Sequence, residues 1–179
     1  RFVLAAAPAA ERSAPVAGPL WLGRVRVSAL FDGKGFVYRT GESTFESDFF
    51  HEFFAPPGEV LRDAMREWFS AGSAFASIES SGRSDPEWLL ETDVEELYAD
   101  LRDPSGPHVV LAARFHLLDL RRARPVRVLD LRLAESEPAA DRSPQALVDA
   151  WNRALARQLV ALDAELHTVT RARVGTATR

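Results

Sequence analysis

Residues 35–69 constrain the fold of this chain more than any other stretch. They open with a short apolar run, turn at residues 40–42, and continue as a run rich in phenylalanine that ends at Pro56 and Pro57. The apolar residues that follow recur at i, i+1, i+4, i+5, i+8 and i+9, which is one face of an α-helix. Pro57 suits a first helical turn and Gly72 suits a helix end. The stretch therefore predicts a β-hairpin followed by an amphipathic helix.

The segments around this unit read as strands. Residues 2–4 predict a short strand, and residues 5–19 form a connector rich in alanine and proline. Residues 20–30 alternate between apolar and polar side chains, which indicates a strand with one solvated face. Residues 74–79 predict another strand. A strand, a helix and a strand in this order predict a crossover unit with parallel flanking strands and the helix on one sheet face.

The second half of the chain predicts a meander. A polar loop at residues 80–86 precedes three long strands, at residues 88–101, 108–120 and 126–133, which are joined by short turns. The alternation changes phase at Glu95 and Glu96, and this predicts a β-bulge. Ser143 and Pro144 then form a typical start of a helix. We expect this amphipathic helix to run for about six turns.

Two helices and about seven strands place the chain in the α/β class, with an α+β-like mixed sheet. We expect one domain over residues 1–169, with both apolar helix faces packed on the sheet, and a flexible tail over residues 170–179. A length of 179 residues and a charged fraction of 27% fit one folded domain.

Composition excludes several classes of function. The formal net charge is −4 and Lys34 is the only lysine, so we expect no nucleic-acid partner. The chain has no cysteine, which excludes disulfides, thiol nucleophiles and cysteine-ligated metals. It also has no apolar run of the roughly 18 to 20 residues that a membrane-spanning helix needs.

Catalytic motifs are missing from the sequence. The four histidines lack metal-ligand spacing, no nucleophile motif occurs, and we predict no catalytic, metal or cofactor residue. An acidic strand with Glu91, Asp93, Glu95 and Glu96 could serve acid–base chemistry or hold a divalent ion. A hydrolase would use this strand or His116. We favour a solvated face instead, in which cross-strand ion pairs join these acids to arginines of the neighbouring strands. The arginines expected there are Arg121, Arg122, Arg124 and Arg127.

The phenylalanine run offers the candidate binding residues. Acidic residues lie among the rings, so the run does not resemble a nucleic-acid stacking platform, which needs interleaved cations. Either the rings cap the core between hairpin and helix, which we favour, or some stay exposed for a partner protein or lipid. The residues proposed for partner binding are Phe45, Phe49, Phe50 and Phe53.

Several short motifs, in order, resemble a known family. A Val-x-Val strand at residues 25–27 is followed by an apolar-Tyr-Arg signature at residues 36–39 and a Phe-Ala-Pro-Pro element at residues 54–57. This order is similar to the auxiliary lipoprotein components of ABC-type transport systems, the paraquat-inducible protein C-like lipoproteins. Phe54 stands where that family often has tryptophan, and the lipidated cysteine is absent from this sequence. Tyr38 and Arg39 are signature residues with an expected structural role.

The resemblance implies a location, a fold and partners. It implies a periplasmic protein tethered to the outer membrane by an N-terminal lipid, with a fold like the N-terminal domain of TolB or an anticodon-binding domain. It implies a non-enzymatic adaptor that works with the MCE-type periplasmic component of a lipid-transporting ABC system. The resemblance also leaves open whether the protein forms a homo-oligomeric ring. The alternatives are a lipid-binding carrier of the envelope, with lipid itself as the partner, and an envelope hydrolase.

Overall fold

A computed structural model describes residues 1–6, 14–79 and 85–176, with side chains as far as Arg173. These residues form one mixed sheet of seven strands and two helices. The elements are β1 (Leu20–Val27), β2 (Gly35–Arg39), β3 (Phe45–Glu52), α1 (Pro57–Ser70), β4 (Ile78–Glu79), β5 (Trp88–Asp100), β6 (His108–Asp119), β7 (Val126–Pro138) and α2 (Pro144–Thr176). The predicted α/β class, with about seven strands and two main helices, is confirmed.

Strand β5 is the centre of the sheet. Antiparallel β6 lies along one edge of β5, and antiparallel β7 continues the sheet beyond β6. The other edge of β5 carries two parallel strands end to end, because β1 pairs with its first half and β2 pairs with Ala99 and Asp100. Two-residue β4 adds to β1, and β3 adds to β2 in a hairpin. At the end of β5 that pairs with β2, the sheet is therefore bounded by β3 on one side and by β7 on the other.

One face of the sheet carries both helices. Leu20 and Leu22 of β1 are in register with Trp88 and Leu90 of β5, and all four are buried. Helix α1 packs on β1, and α2 packs on β6 and β7, so their apolar sides meet in one core. The opposite face carries a layer of charged residues. Among the described residues, no helix has both the length and the apolarity needed to cross a bilayer.

The hairpin and first helix are confirmed, but the crossover differs from the prediction. Helix α1 follows Pro56, and Gly72 adopts a φ of 142° just after its end. β1 and β4 are parallel, whereas β3, the strand directly before α1, runs the opposite way. Of the strand predicted at residues 74–79, only Ile78 and Glu79 form β4, and Phe75 forms an isolated parallel bridge with Ala17.

The meander and its bulge are confirmed. The register between β5 and β6 shifts between Val94 and Glu96. At α2, Ser143 Oγ accepts a hydrogen bond from the Ala146 N–H, as an N-cap should. The helix has 33 residues, about nine turns rather than six. The expected start of the tail falls inside α2, where Thr170 is fully buried, while residues 177–179, the loop at 80–84 and the connector at 7–13 lie outside the described residues.

Candidate functional site

A bulge in β3 presents two phenylalanine rings to solvent. Gly35 pairs with Glu52, but two residues later Val37 pairs with Ser47, so three extra residues accumulate on β3. Residues 48–51 therefore lie opposite Phe36 alone, and we call this segment the phenylalanine turn. A Cβ at Gly35 would collide with the backbone carbonyl oxygen of Asp48. Glycine at this position is what lets the turn approach β2.

Asp48 fixes the shape of the turn. Its Oδ1 accepts hydrogen bonds from the N–H groups of Phe50, at 2.7 Å, and His51, at 3.1 Å. Its Oδ2 accepts the Tyr38 hydroxyl at 2.7 Å and lies 2.7 Å from Nδ1 of His51. Four polar contacts to one carboxylate hold the turn in a single geometry.

The electrostatics agree with this arrangement. Burial alone would raise the pKa of Asp48, but the hydrogen bonds from Phe50, Tyr38 and His51 outweigh burial and hold this pKa well below its ordinary value. Burial, and then the bond to Asp48, raise the pKa of Tyr38. Asp48 is therefore a structural anion and Tyr38 a neutral donor, which matches the structural role expected of Tyr38.

The two rings at the top of the turn are almost fully exposed. Phe49 exposes 93% and Phe50 exposes 88% of its surface. Single exposed apolar residues are common, but here two phenylalanines follow each other on a turn whose backbone Asp48 holds in place, which leaves less backbone entropy to lose on binding. Phe54, three residues after the turn, exposes a further 64%. The geometry therefore suits binding of an apolar surface.

The other two predicted binding residues pack against the core, Phe53 fully and Phe45 in part. Phe53 is 2% exposed, and its ring packs 4.8 Å from Phe36 and 5.7 Å from Trp151, centroid to centroid. Phe45 is half-buried against Tyr98, at 5.4 Å. Only the middle of the predicted set, Phe49 and Phe50, forms a surface. Phe54 was not among the predicted binding residues, and its place in the run gave no signal of exposure.

Arg39 supports the hairpin from the other side. Its Nη2 donates to the carbonyl of Glu42 at 2.6 Å, and its guanidinium lies 5.6 Å from the ring centre of Phe45. Both signature residues, Tyr38 and Arg39, thus brace β2 against β3. Their contacts are internal to the hairpin.

The acidic strand forms the ion pairs that were expected, with different arginines. Asp93 pairs with Arg26 of β1 at 2.6 Å, and this bond lowers the pKa of Asp93. Glu95 pairs with Arg132 of β7 at 2.6 Å and Arg114 of β6 at 3.4 Å. Arg121, Arg122 and Arg124 were the wrong partners because they lie between β6 and β7 at the end next to the start of β5. The charge of Arg127 does help to lower the pKa of Asp93. Two of the expected arginines pair with acids on their own segments, Arg121 with Asp119 and Arg127 with Asp130.

His116 lies on the same face as these ion pairs. It is only 7% exposed, and its ring nitrogens lie 3.5 Å from Asp93 and 3.7 Å from Asp130. Both carboxylates also bind arginines. Within the described part of the chain, no group of three or more histidine or acidic residues is arranged to hold a metal ion. The cluster thus has the character of a neutralised sheet face.

A surface groove lies between β1 and the start of α1. It has a volume of about 540 Å³ and opens to solvent. Arg24, Arg26, Asp32, Glu59 and Arg62 contribute charged groups to its lining, so the groove is unsuited to an acyl chain.

Comparisons with known proteins find a matching family and several proteins of similar structure. Residues 2–162 match the model of a family described as the ABC-type transport auxiliary lipoprotein component. A Xanthomonas campestris protein of the family DUF330 is similar in structure, with a TM-score of 0.77 and 16% identity, over 97% of this chain and 96% of that chain. An uncharacterized protein matches with a TM-score of 0.71 and 14% identity, over 92% of this chain and 99% of that one.

A more distant neighbour is a hypothetical protein from Chlamydia trachomatis. It has a TM-score of 0.56 and 11% identity, with 87% of this chain and 99% of that chain covered. No curated protein matches this sequence significantly. At these identities the structural neighbours show a shared fold.

Proposed function

Because this chain belongs to the family of ABC-type transport auxiliary lipoprotein components, we propose that it is a non-enzymatic adaptor of an MCE-associated lipid transport system. In this proposal the protein lies in the periplasm, tethered to the outer membrane through an N-terminal lipid. It docks onto the MCE-type periplasmic component through the phenylalanine turn. The lipid passes through the partner, and this protein contributes position and contact.

The observation that carries the proposal is the exposure of Phe49 and Phe50 on a turn that Asp48 holds rigid. Aromatic residues are enriched in the energetically dominant centres of protein interfaces. Acidic residues at positions 46, 48 and 52 flank the rings. Such a pattern favours a protein surface with apolar and cationic groups over an anionic lipid surface.

The position of the N-terminal residues supports a tether on the same side. Phe2 forms a bridge with Phe53, and Arg1 pairs with Glu52 at 2.9 Å. The N-H of Ala5 donates to Asn152 of α2 at 2.9 Å, which fastens this segment to the domain. A tether preceding Arg1 would thus join the protein next to β3, close in the fold to the base of the turn.

Core packing disfavours the alternative of an internal lipid carrier. Trp68 and Trp151, which would have to line an acyl chamber, are at most 2% exposed. The ring of Trp151 lies 5.2 Å from Phe36 and 5.7 Å from Phe53, centroid to centroid, so side chains fill this space. An acyl chain would have to displace the core, and well-packed cores resist such displacement.

Site-specific photo-crosslinking in the native envelope tests the proposal. Benzoylphenylalanine would replace Phe49 or Phe50 in separate variants, and Ala123 as a control. Ala123 is exposed in the β6–β7 loop, at the opposite end of β5 from the hairpin. We expect a crosslink to the MCE-type component from positions 49 and 50 and none from 123.

Two results would contradict docking through the turn. Crosslinks from positions 49 and 50 to lipid alone would assign the turn to a membrane surface. Crosslinks to the MCE-type component from position 123 as strong as those from 49 and 50 would place the contact elsewhere on the protein.

A further inference from the structure

Strand β7 leaves a long edge of the sheet open. It has 13 residues, from Val126 to Pro138, and within the described part of the chain it pairs only with β6. Every second residue of such a strand directs its backbone N–H and C=O outward, where another strand can pair with them. Pro125 and Pro138 bound this edge, but its middle, residues 129–133, is regular and free of proline.

We propose that two copies of this chain associate through β7, pairing antiparallel about a two-fold axis at Leu131. The two sheets would then join into one continuous sheet of fourteen strands. This surface lies on the opposite edge from the phenylalanine turn, so self-association and docking use separate parts of the molecule. The proposal does not depend on the proposed function.

Charge complementarity selects this register. When Leu131 faces its own copy, Asp130 of each chain lies opposite Arg132 of the other, and Leu129 lies opposite Leu133. Shifting the centre to Asp130 would set two aspartates against each other, and shifting it to Arg132 would set two arginines against each other. Opposite charges directly across an antiparallel pair are stabilising and like charges are destabilising. Of these three registers, only the one centred on Leu131 is free of like-charge contacts at these positions.

The side chains of Asp130 and Arg132 remain accessible at the open edge. Asp130 and Arg132 keep 42% and 45% of their side chains exposed although each already has an ion pair within the chain. Asp130 bonds to Arg114 at 2.9 Å, and Arg132 bonds through Nε to Glu95 at 2.6 Å. Pairing with the aspartate of a second copy would turn the Arg132 guanidinium from Glu95, which it reaches across β6, toward the open edge. The result would be a charge ladder that continues from one sheet into the next.

Apolar groups on the other face of β7 fit the same pairing. Leu129, Leu131 and Leu133 face the helix layer but are only half-buried, because no strand lies beyond them. Their remaining apolar surface would be covered by the same residues of the second copy. Burial of apolar surface supplies the driving force that ion pairs at a surface lack.

Helix α2 is placed to take part. Arg153 and Arg157 reach Glu137 of β7, which shows that this side of α2 faces the strand and its edge. Val160 and Ala164 follow on the same stripe at helical spacing, and both are exposed. Because α2 packs on both β6 and β7, the two copies of α2 would lie about 10 Å apart across the pair, given a strand spacing of about 4.8 Å. Helices pack at about this distance.

The absence of cysteine from the chain makes a direct test available. Asp130→Cys and Arg132→Cys would be prepared separately, with different mass tags, and oxidised alone and as a mixture. We expect a disulfide-linked heterodimer in the mixture at a yield at least tenfold above that of either variant alone. In the heterodimer the two cysteines face each other and one Asp130–Arg132 pair remains intact. In each homodimer the cysteine faces a charged residue.

Sedimentation velocity of the unmodified chain, at micromolar concentrations, provides the second measurement. It should show a reversible monomer–dimer equilibrium without larger species. Ser136→Cys is the matched control, because position 136 lies on β7 but does not meet its own copy in this register. Efficient homodimers of Asp130→Cys, equal yields from Ser136→Cys, a purely monomeric chain, or a closed ring of more than two subunits would each overturn the proposal.

Discussion

The two outer edges of this sheet, β3 and β7, differ in whether another strand can pair with them. At β3 the ladder is interrupted by three extra residues, so the edge presents side chains, two of them exposed phenylalanines. At β7 the middle of the strand is regular, so the edge keeps its outward backbone groups and an alternating set of charges. A bulged edge resists strand addition and recognises partners through its rings, whereas a regular edge can pair with another strand.

The comparison depends first on which rings of the β3 edge belong to the core. Phe53→Ala should destabilise the protein by about 4 kcal/mol, because it leaves a cavity beside Phe36 and Trp151. Phe49→Ser and Phe50→Ser should each change stability by less than about 0.5 kcal/mol, since their rings are in water. Urea unfolding followed by tryptophan fluorescence measures both. Similar losses at positions 49 and 53 would show that the turn is packed and not displayed.

Closing the bulge is the second way to break the comparison. Gly35→Ala should cost about 2 to 3 kcal/mol, because its Cβ meets the carbonyl oxygen of Asp48 and the turn must move. Gly33→Ala, where the new Cβ meets no atom within 4 Å, is the matched control and should be nearly neutral. Thermal unfolding by circular dichroism compares the two. Equal melting temperatures would contradict the close approach of the turn to β2.

Asp48 should link the turn to pH. Asp48→Asn should cost about 2 kcal/mol at pH 7, the scale of hydrogen bonds to a charged group. Because the pKa of Asp48 is lower in the folded protein than in the unfolded chain, its ionised form contributes fully above about pH 4 and the contribution is lost as the pH falls toward the folded pKa.

The difference in unfolding free energy between Asp48→Asn and the unsubstituted protein should thus shrink as the pH falls below about 4. Urea titrations between about pH 5 and about pH 2 measure it. A difference that grows over this range would reverse the sign of the linkage and refute the role assigned to the carboxylate.

The smallest effect on the monomer is expected at β7. Arg132→Asp removes an exposed ion pair and sets a new acid near Glu95, so it should cost the monomer about 1 kcal/mol or less. The same change should abolish dimers, and the double variant Asp130→Arg/Arg132→Asp should restore them. Sedimentation velocity and urea unfolding separate the two effects. Dimers that survive the single change would exclude the register centred on Leu131.

Much of the scaffold could be predicted because its signals are local. The period of residues 60–69 and the prolines before them define α1, and the phase change at Glu95 and Glu96 locates the bulge in β5. Ser143 and Pro144 likewise mark the start of α2. Each signal depends on a few neighbouring residues, so no knowledge of the sheet order was required.

Several of the predictions that failed concern pairing between distant segments. The ion-pair partners of Asp93 and Glu95 depend on which strands border β5, and nothing local shows that β1 and β2 share one edge of it. The parallel pairing of β4 with β1 likewise joins segments that are far apart in the sequence. Such pairing between remote segments leaves no periodic trace.

The candidate site was predicted in outline only. A run with five phenylalanines at positions 45–54 indicated an aromatic feature, but alternation could not separate inward from outward rings once three extra residues had shifted the register of β3. Gly35 and Asp48, which create the turn, each have many other uses in proteins. Their combination is meaningful only after the hairpin has been paired.

The most direct test of the account is the affinity of the phenylalanine turn for the MCE-type periplasmic component. Binding of the purified proteins would be compared for the unsubstituted chain, for Phe49→Ser/Phe50→Ser, and for Leu30→Ser, which removes another exposed apolar side chain. If the rings are the centre of the interface, the double variant should bind at least about 30-fold more weakly, while Leu30→Ser stays within about twofold. Unchanged binding by a folded double variant would contradict the assignment of the turn as the docking site.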